Sequence, residues 1–304
     1  MDTIIQTYQL TKKFKKQEVL KPLDFSVKKG EICALIGKNG AGKSTLFKIL
    51  AGQLKPTSGE ILLFGKSGKE IEHVKKRMGF MIETPTFFPD FNAVQNLEYF
   101  RIQRGVVEKK RIDEVLEIVG LANEKKKRFK DYSMGMKQRL GIALSLLSNP
   151  DCLVLDEPIN GLDVEGIIEI RRLLMKLNQE KHITILISSH ILTELKLLAT
   201  RFVFIKDGVI VDDLSIEALE KSRKQIVLTV DNSVKVAQLL ERAYEDIEFK
   251  VLPNHVISIQ NHVESSGDIN RLLVDNGVMV KEFRIEALNL EEYFLGLVEG
   301  SSND

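Results

Sequence analysis

The sequence is poor in the features that mark secreted, disulfide-linked or nucleic-acid-binding chains. Its 304 residues include only 2 cysteines, Cys33 and Cys152, and each lies inside an apolar run typical of a strand. We therefore expect both to be buried core residues in a reducing compartment, not a disulfide or a metal site. The formal net charge is +1, which favours neither a nucleic-acid partner nor an acidic solvating role.

Long apolar segments are also missing. The sequence contains neither a signal peptide nor an apolar run of about 18 residues, so we expect a cytoplasmic chain that reaches a membrane only through a partner. There is no sequence repeat and no low-complexity segment. The basic run 125–128 favours a solvated face, with contact to anionic lipid headgroups as the alternative. A chain of 304 residues is long enough for two domains, each with its own core.

The most informative stretch is a glycine-rich segment between a strand and a helix. It follows the apolar run Ile32–Ile36 and opens onto apolar residues at helical spacing, which is the context of a phosphate-binding loop. Its glycines let backbone N–H groups turn towards a phosphate. Lys43 adds a positive charge for the β- and γ-phosphates, and the Ser44 hydroxyl can ligate Mg²⁺. The predicted phosphate-binding residues are Gly37, Lys38, Asn39, Gly40, Ala41, Gly42, Lys43, Ser44 and Thr45.

Polar residues follow two further apolar strands. Asp156 and Glu157 end the run 152–155, at the position where α/β sheets place ligand chemistry. Asp156 can hold Mg²⁺ through its water shell, and Glu157 can polarise an attacking water. His190 follows the strand 183–187 and could reach a γ-phosphate. The alternatives are a solvated strand end and a structural histidine.

Two other short segments admit more than one interpretation. Phe14 lies in a basic turn between two predicted strands, where it could stack on an adenine ring or be a partly buried loop aromatic. Ser133 and Gly135 precede a helix predicted from about Met136 to Leu147. They could offer a hydroxyl and free N–H groups to an anion, or Ser133 could be an ordinary N-cap.

Periodicity divides the remaining sequence into regions of different kinds. From about 92 to 148 the apolar spacing is helical, which predicts a helical insert in an α/β core. Beyond 225 the predicted order is strand, helix, strand, strand, helix, strand, which fits a ferredoxin-like α+β domain. Asn289 and Glu292 predict a capping box at the start of a last, amphipathic helix.

Taken together, these motifs resemble the nucleotide-binding subunit of an ABC transporter over residues 3–215. The resemblance implies that 37–45 is Walker A, that 152–156 is Walker B with Glu157 as the catalytic glutamate, that His190 is the switch histidine and that Phe14 is the adenine-stacking aromatic. It also implies a family signature and a D-loop that contact nucleotide bound to a second subunit, through Ser133, Met134, Gly135, Met136 and Asp163.

One departure from the family pattern is informative. Most members carry glutamine in the loop that joins the core to the helical insert, whereas this chain has Glu83. A carboxylate there could still meet Mg²⁺ or the attacking water, but it adds negative charge beside the phosphates. Glu83, the signature sequence and the C-terminal pattern 290–294 resemble the bacitracin-resistance and lantibiotic-immunity subfamily of antimicrobial peptide exporters.

The resemblance implies a P-loop ABC ATPase domain over 1–215 with a helical subdomain at about 84–150, a linker at 216–224, and a ferredoxin-like domain with a terminal docking helix over 225–304. The implied cofactors are ATP and Mg²⁺. The implied partners are a second ATPase subunit, in a homodimer, and a membrane permease that holds the chain on the inner face of the membrane. Phe87, Phe88 and Phe91 are candidates for the contact with the permease, or for packing within the insert.

Three alternatives compete with a peptide exporter. An importer ATPase would use the C-terminal domain to sense a ligand, but Glu83 and the terminal helix speak against it. A non-transport ABC ATPase acting on DNA or ribosomes would be expected to carry tandem cassettes, coiled coils or a strongly basic surface. A different P-loop class, such as a GTPase, is disfavoured by the Ser133 motif together with His190.

Overall fold

The computed structural model describes residues 2–15, 17–83, 86–222, 224–287 and 290–299. The chain divides into two compact units, Met1–Leu214 and Ser215–Asp304. The strands and helices of the first unit are β1 (Thr3–Phe14), β2 (Gln17–Lys28), β3 (Ile32–Ile36), α1 (Lys43–Leu50), β4 (Ser58–Leu63), α2 (Ile71–Val74), β5 (Met78–Met81), α3 (Ala93–Gln103), α4 (Arg111–Ile118), α5 (Met134–Leu146), β6 (Cys152–Asp156), α6 (Val164–Lys181), β7 (Thr184–Ser188), α7 (Leu192–Leu198), β8 (Arg201–Lys206) and β9 (Val209–Ser215). Those that follow are α8 (Ile216–Ser222), β10 (Lys224–Val230), α9 (Ser233–Ala243), β11 (Phe249–Leu252), β12 (Val256–Ile259), α10 (Ser266–Asp275), β13 (Val280–Ala287) and α11 (Leu290–Glu299).

A six-stranded sheet in the order β5-β6-β7-β3-β8-β9 forms the centre of the first unit. Every position of β3, β6 and β7 is buried, as their unbroken apolar sequences predict. The pairs β5/β6, β6/β7, β7/β3 and β3/β8 are parallel. The carboxyl ends of these strands therefore meet at one edge of the sheet.

A second, antiparallel sheet in the order β2-β1-β4 lies on the same core. Leu46, Phe47 and Leu50 of α1 share one cluster of buried side chains with residues of both sheets. The helix that follows the glycine-rich loop is thus fixed by apolar burial from both layers, which restricts movement of the loop that precedes it.

Three helices, α3 to α5, form the predicted insert between β5 and β6. A capping box between Asn92 and Gln95 begins α3. Helix α5 begins at Met134, two residues before the predicted start, because the Ser133 side chain accepts a hydrogen bond from the Met136 N–H and caps the helix.

The second unit contains a four-stranded antiparallel sheet in the order β11-β12-β10-β13. With α9 after β10 and α10 after β12, this is the strand order of a ferredoxin-like βαββαβ fold, so the predicted fold class is confirmed. Its core includes Leu228, Leu240 and Leu273. Asn289 lies outside the described residues, as does the side chain of Glu292, so the predicted capping box does too.

Both cysteines are buried, as predicted. Burial raises the pKa of the Cys33 and Cys152 thiols well above their usual range, so the neutral thiol is favoured at each position. Within the described part of the chain, no helix combines the length and the apolar character needed to cross a bilayer.

Close packing of β5 against α5 leads to the first prediction. A Cβ atom at Gly79 would lie 2.1 Å from the Ser145 carbonyl oxygen, which belongs to the backbone. We expect Gly79→Ala to lower the free energy of unfolding by about 1–3 kcal/mol, because strand and helix must separate. Urea denaturation followed by circular dichroism measures the loss.

Gly267→Ala is the control, because an added Cβ there has no neighbour within 4 Å. It should be neutral or slightly stabilising, as alanine favours a helix more than glycine does. Equal stabilities of Gly79→Ala and the wild type would contradict the close contact between β5 and α5.

Candidate functional site

The glycine-rich loop follows β3 and ends where α1 begins. Gly42, the residue before α1, has φ of 110°, a conformation that other residues rarely adopt. Lys43 is 6% exposed. Its Nζ atom donates hydrogen bonds to the Gly37 carbonyl at 2.6 Å and to the Lys38 carbonyl at 3.3 Å. The loop therefore curls around its own lysine and presents the start of a helix next to it.

The charge of Lys43 is held in a partly dehydrated place. Burial lowers the pKa of the Lys43 ammonium, while the negative charges of Glu157 and Asp156 oppose that shift. A dehydrated ammonium gains more from an anionic ligand than one in water does, because attraction between charges grows as the local dielectric falls. The loop is thus suited to an anion such as a phosphate.

The end of β6 is tied to the end of β7 by one serine. The buried Ser188 hydroxyl donates to Asp156 Oδ1 at 2.6 Å and accepts from the Glu157 backbone N–H at 3.1 Å. The Ser188 carbonyl also accepts from that N–H, at 3.1 Å. Since Ser188 is 0% exposed and Asp156 is 7% exposed, this charge-assisted hydrogen bond is little weakened by water.

Glu157 and His190 are in direct contact. His190 Nδ1 lies 2.8 Å from Glu157 Oε2, and the His190 backbone N–H donates to the same oxygen at 3.3 Å. Glu157 has φ of 50°, an unusual value for a residue with a Cβ atom, and this conformation accompanies the donation of its N–H to β7. The two predicted catalytic residues therefore lie together at the sheet edge.

Glu83, just beyond β5, forms an ion pair that the sequence analysis did not predict. Its Oε1 atom lies 2.6 Å from Lys48 Nζ on α1. Lys48 follows Ser44 by four residues, so both lie on one face of the helix. The spacing of four residues predicts that Lys48 lies on the same helix face as Ser44, near the site. The sequence alone does not predict that the Glu83 carboxylate lies within contact distance of Lys48.

Phe14 is the last residue of β1, not part of a longer turn, because β1 and β2 stay paired as far as Phe14 and Gln17. The Phe14 ring is 42% exposed, and Lys12 Nζ lies 4.8 Å from its centroid. The ring therefore keeps an exposed surface that a flat base could contact.

The predicted signature and D-loop line a separate groove of about 510 Å³, formed by Ser133, Met134, Gly135, Arg139, Gly161, Leu162, Asp163, Glu165, Gly166 and Glu169. The Asp163 carboxylate caps α6 by accepting from the Gly166 N–H at 3.0 Å. Of the predicted signature residues, Met134 is 51% exposed and Met136 is nearly buried. None of the residues 37–45 lines this groove, so the phosphate loop and the groove are separate on one chain.

The residues present fit a nucleotide with a divalent cation. Lys43, the loop N–H groups and the start of α1 suit phosphates. The oxygens of Ser44 and Asp156 are the hard ligands that Mg²⁺ prefers. Over the described residues, no cluster of three or more His, Cys, Asp and Glu side chains could hold a metal ion.

A parallel sheet whose strand ends carry a phosphate loop, an aspartate, a glutamate and a histidine defines a P-loop ATPase. The sequence model of the ABC transporter family matches residues 20–160. The bacitracin transport ATP-binding protein BcrA of Bacillus licheniformis is 40% identical to this chain over 304 residues, which cover 99% of this chain and 99% of that protein. The lantibiotic transport ATP-binding protein SrtF of Streptococcus pyogenes is 41% identical over 208 residues, 68% of this chain and 89% of that protein.

Two solved structures extend the comparison. The dimeric post-hydrolysis state of the ATP-binding cassette MJ0796, bound to ADP and Pi, has a TM-score of 0.64 and 26% identity over 70% of this chain and 99% of that chain. The cbiO1 protein from Clostridium perfringens, part of the ABC transporter complex cbiONQ, has a TM-score of 0.65 and 29% identity over 80% of this chain and 98% of that chain. This chain belongs to the ABC transporter family of ATP-binding proteins and is an ATPase subunit, as the motifs predicted.

Ser188 had no role in the sequence analysis, and the structure makes it the basis of the second prediction. Ser188→Ala removes the hydroxyl that donates to Asp156, leaving a buried carboxylate oxygen without that donor. We expect the free energy of unfolding to fall by about 1–3 kcal/mol. Thermal or urea denaturation of the full chain measures it.

Ser188→Thr is the matched variant, since it keeps a hydroxyl at the same position. It should retain more of the stability than Ser188→Ala does. Equal losses in the two variants would mean that volume, not the hydrogen bond to Asp156, determines the effect.

Proposed function

We propose that this chain hydrolyses ATP to power the export of antimicrobial peptides, or similar amphipathic compounds, through a separate membrane permease. The observation that carries the proposal is the full-length similarity to a bacitracin transport ATP-binding protein, 40% identical over 99% of both chains. That similarity includes the ferredoxin-like unit, which lies beyond the residues 20–160 that the family model matches. The chain would act in the cytoplasm, on the inner face of the membrane, held there by the permease and without contact to nucleic acid.

A pair of chains is needed to complete the nucleotide site. The phosphate loop and the signature groove are separate half-sites on one chain. In a head-to-tail pair, the residues 37–45 of one copy face the groove of the other. Ser133 and Gly135 then contact the γ-phosphate, with Met134, Met136 and Asp163 beside them. The dimeric arrangement of the related cassette MJ0796 supports this pairing.

Each strand end has a role in the proposed reaction. Lys43 and the loop N–H groups hold the β- and γ-phosphates, and Phe14 stacks on the adenine. Ser44 and Asp156, with Glu83 nearby, would hold Mg²⁺, which would offset the charge of the phosphates. Glu157 polarises the attacking water, and His190 contacts the γ-phosphate from the next strand. Their contact at 2.8 Å supports a joint role.

In this mechanism, the presence or absence of the γ-phosphate determines whether the pair of chains is closed or open. Ser133, the Gly135 N–H and the start of α5 bind a terminal phosphate that ATP has and ADP lacks. ATP thus favours the closed pair over the open one, and hydrolysis removes that preference. The energy of closure is limited by the difference in affinity of ATP for the two states.

An aromatic patch on the insert is the proposed contact with the permease. We define the aromatic patch as Phe88, Phe91 and Tyr99, which are 40%, 40% and 46% exposed. The centroid of the Phe88 ring lies 5.1 Å from that of Phe91 and 4.9 Å from that of Tyr99. The buried Asn96 side chain fixes the backbone beneath it by bonding the Phe88 N–H at 2.8 Å and the Phe91 carbonyl at 3.3 Å. Phe87, the third candidate, is buried against Phe100 and Phe129 and packs within the insert instead.

The third prediction tests the catalytic role of Glu157. Glu157→Gln should leave ATP binding intact but slow turnover by about 100-fold or more, because an amide cannot accept the proton of the attacking water. Steady-state ATPase rates and the fraction of dimer trapped with ATP and Mg²⁺ measure the two effects.

Glu180→Gln is the control, since Glu180 is exposed near the end of α6. Its turnover should equal that of the wild type. Turnover by Glu157→Gln close to the wild-type rate would exclude the proposed general base.

The fourth prediction concerns the aromatic patch. Replacing Phe88 and Phe91 together by serine should reduce binding to the permease and peptide resistance in cells, because exposed apolar area is lost from the contact. Copurification with the permease and the minimal inhibitory concentration of bacitracin or a lantibiotic measure these effects, while the ATP affinity of the isolated subunit should not change.

Val107→Ser serves as the control, because Val107 is an exposed apolar residue of the same insert, 88% exposed and outside the patch. It should leave permease binding unchanged. Normal copurification of the Phe88 and Phe91 double variant would remove the patch from the proposed interface.

A further inference from the structure

The pair formed by Glu83 and Lys48 connects the edge strand of the parallel sheet to the helix of the phosphate loop. Lys48 Nζ lies 2.6 Å from Glu83 Oε1, and their side chains are 29% and 66% exposed. Glu83 has φ of 59°, in the left-handed region, so the chain turns sharply at the carboxyl end of β5. The sharp turn and the ion pair occur at the same residue.

The ion pair matters for ligand binding because several negative charges meet at this edge of the sheet. The ends of β5 and β6 carry the carboxylates Glu83, Asp156 and Glu157, whereas the loop itself carries Lys38 and Lys43. A nucleoside triphosphate adds several negative charges. Without a cation bound to it, the glutamate at position 83 would repel this ligand. Lys48 supplies that cation from α1, the helix that begins with Lys43 and Ser44.

We propose that Lys48 is a positioning residue that binds the Glu83 carboxylate, offsets its charge and so allows the site to accept a triphosphate. This inference rests on the proposed function, since it concerns the nucleotide of that same site. Lys48 acts through Glu83, not by contact with the reacting atoms. The glutamate at 83 and the lysine at 48 therefore function as a unit.

Loss of this ion pair should affect nucleotide binding much more than folding. An exposed ion pair contributes little to stability, because water and salt screen it. An unpaired carboxylate beside a multiply charged ligand has a larger effect, since the repulsion grows with the charge of the ligand. Loss of Lys48 should thus be visible in nucleotide affinity and nearly invisible in denaturation.

A double-mutant cycle on the full chain tests the proposal. The affinity for a fluorescent ATP analogue with Mg²⁺ is measured for the wild type, Lys48→Ala, Glu83→Gln and the double variant. We expect Lys48→Ala to weaken binding by about 3- to 10-fold in the wild-type background and by less than about 2-fold when position 83 is glutamine. Lys48→Arg, which keeps the positive charge, should restore binding in the wild-type background.

Lys66→Ala is the matched control, because Lys66 also forms an exposed pair, with Glu70 at 3.5 Å, away from the loop. It should leave the affinity unchanged. Equal losses for Lys48→Ala in both backgrounds would overturn the proposal, since Lys48 would then act without Glu83.

A charge exchange gives a second, independent measurement. Lys48→Glu should weaken binding strongly, and adding Glu83→Lys should restore part of the affinity. Failure of the exchange to restore any affinity would also overturn the pairing. These outcomes differ from failure of the proposed function, in which the wild-type chain itself would not bind the ATP analogue.

Discussion

Parallel pairing of buried strands is the constraint on which the rest of this structure depends. Since β5, β6, β7 and β3 run in the same direction, their carboxyl ends meet at one edge. The residues at or just beyond these ends come from positions 37, 83, 156 and 190, which are far apart in sequence. Strands buried on both faces cannot shift in register without exposing apolar side chains. The packing of the core therefore fixes the positions of the site residues at the strand ends.

Placing several charges at this edge has a cost that the surrounding contacts reduce. Carboxylates at the ends of adjacent strands repel one another and the ligand of the site. Ser188 gives Asp156 a hydrogen bond at 2.6 Å, His190 contacts Glu157 at 2.8 Å, and Lys48 binds Glu83 at 2.6 Å. Each carboxylate therefore has its own partner from a different element, and these partners hold the acids in defined positions before a ligand arrives.

The phosphate loop and the signature groove lie at separate places on one chain, and the proposed mechanism depends on this separation. The phosphate loop is fixed to the core by α1, whereas the signature groove begins at a helix of the insert. In the proposed pairing, a ligand that contacts both would join two chains, and the affinity for its terminal phosphate would close the pair. The exposed aromatic rings of the insert are the proposed contact through which that closure would reach the permease.

Much of this protein could be predicted from the sequence, because local patterns specify local structure. The phosphate loop between a strand and a helix, the buried strands, the helical insert and the ferredoxin-like strand order follow from periodicity and from glycine spacing. The motifs also indicated the family. What only the tertiary structure decided were contacts between residues distant in sequence: Lys48 with Glu83, Ser188 with Asp156, and the burial of Phe87 beside the exposed Phe88. Periodicity describes which face of an element is apolar, but the distance between two side chains depends on how whole elements pack, and that is determined by the complete core.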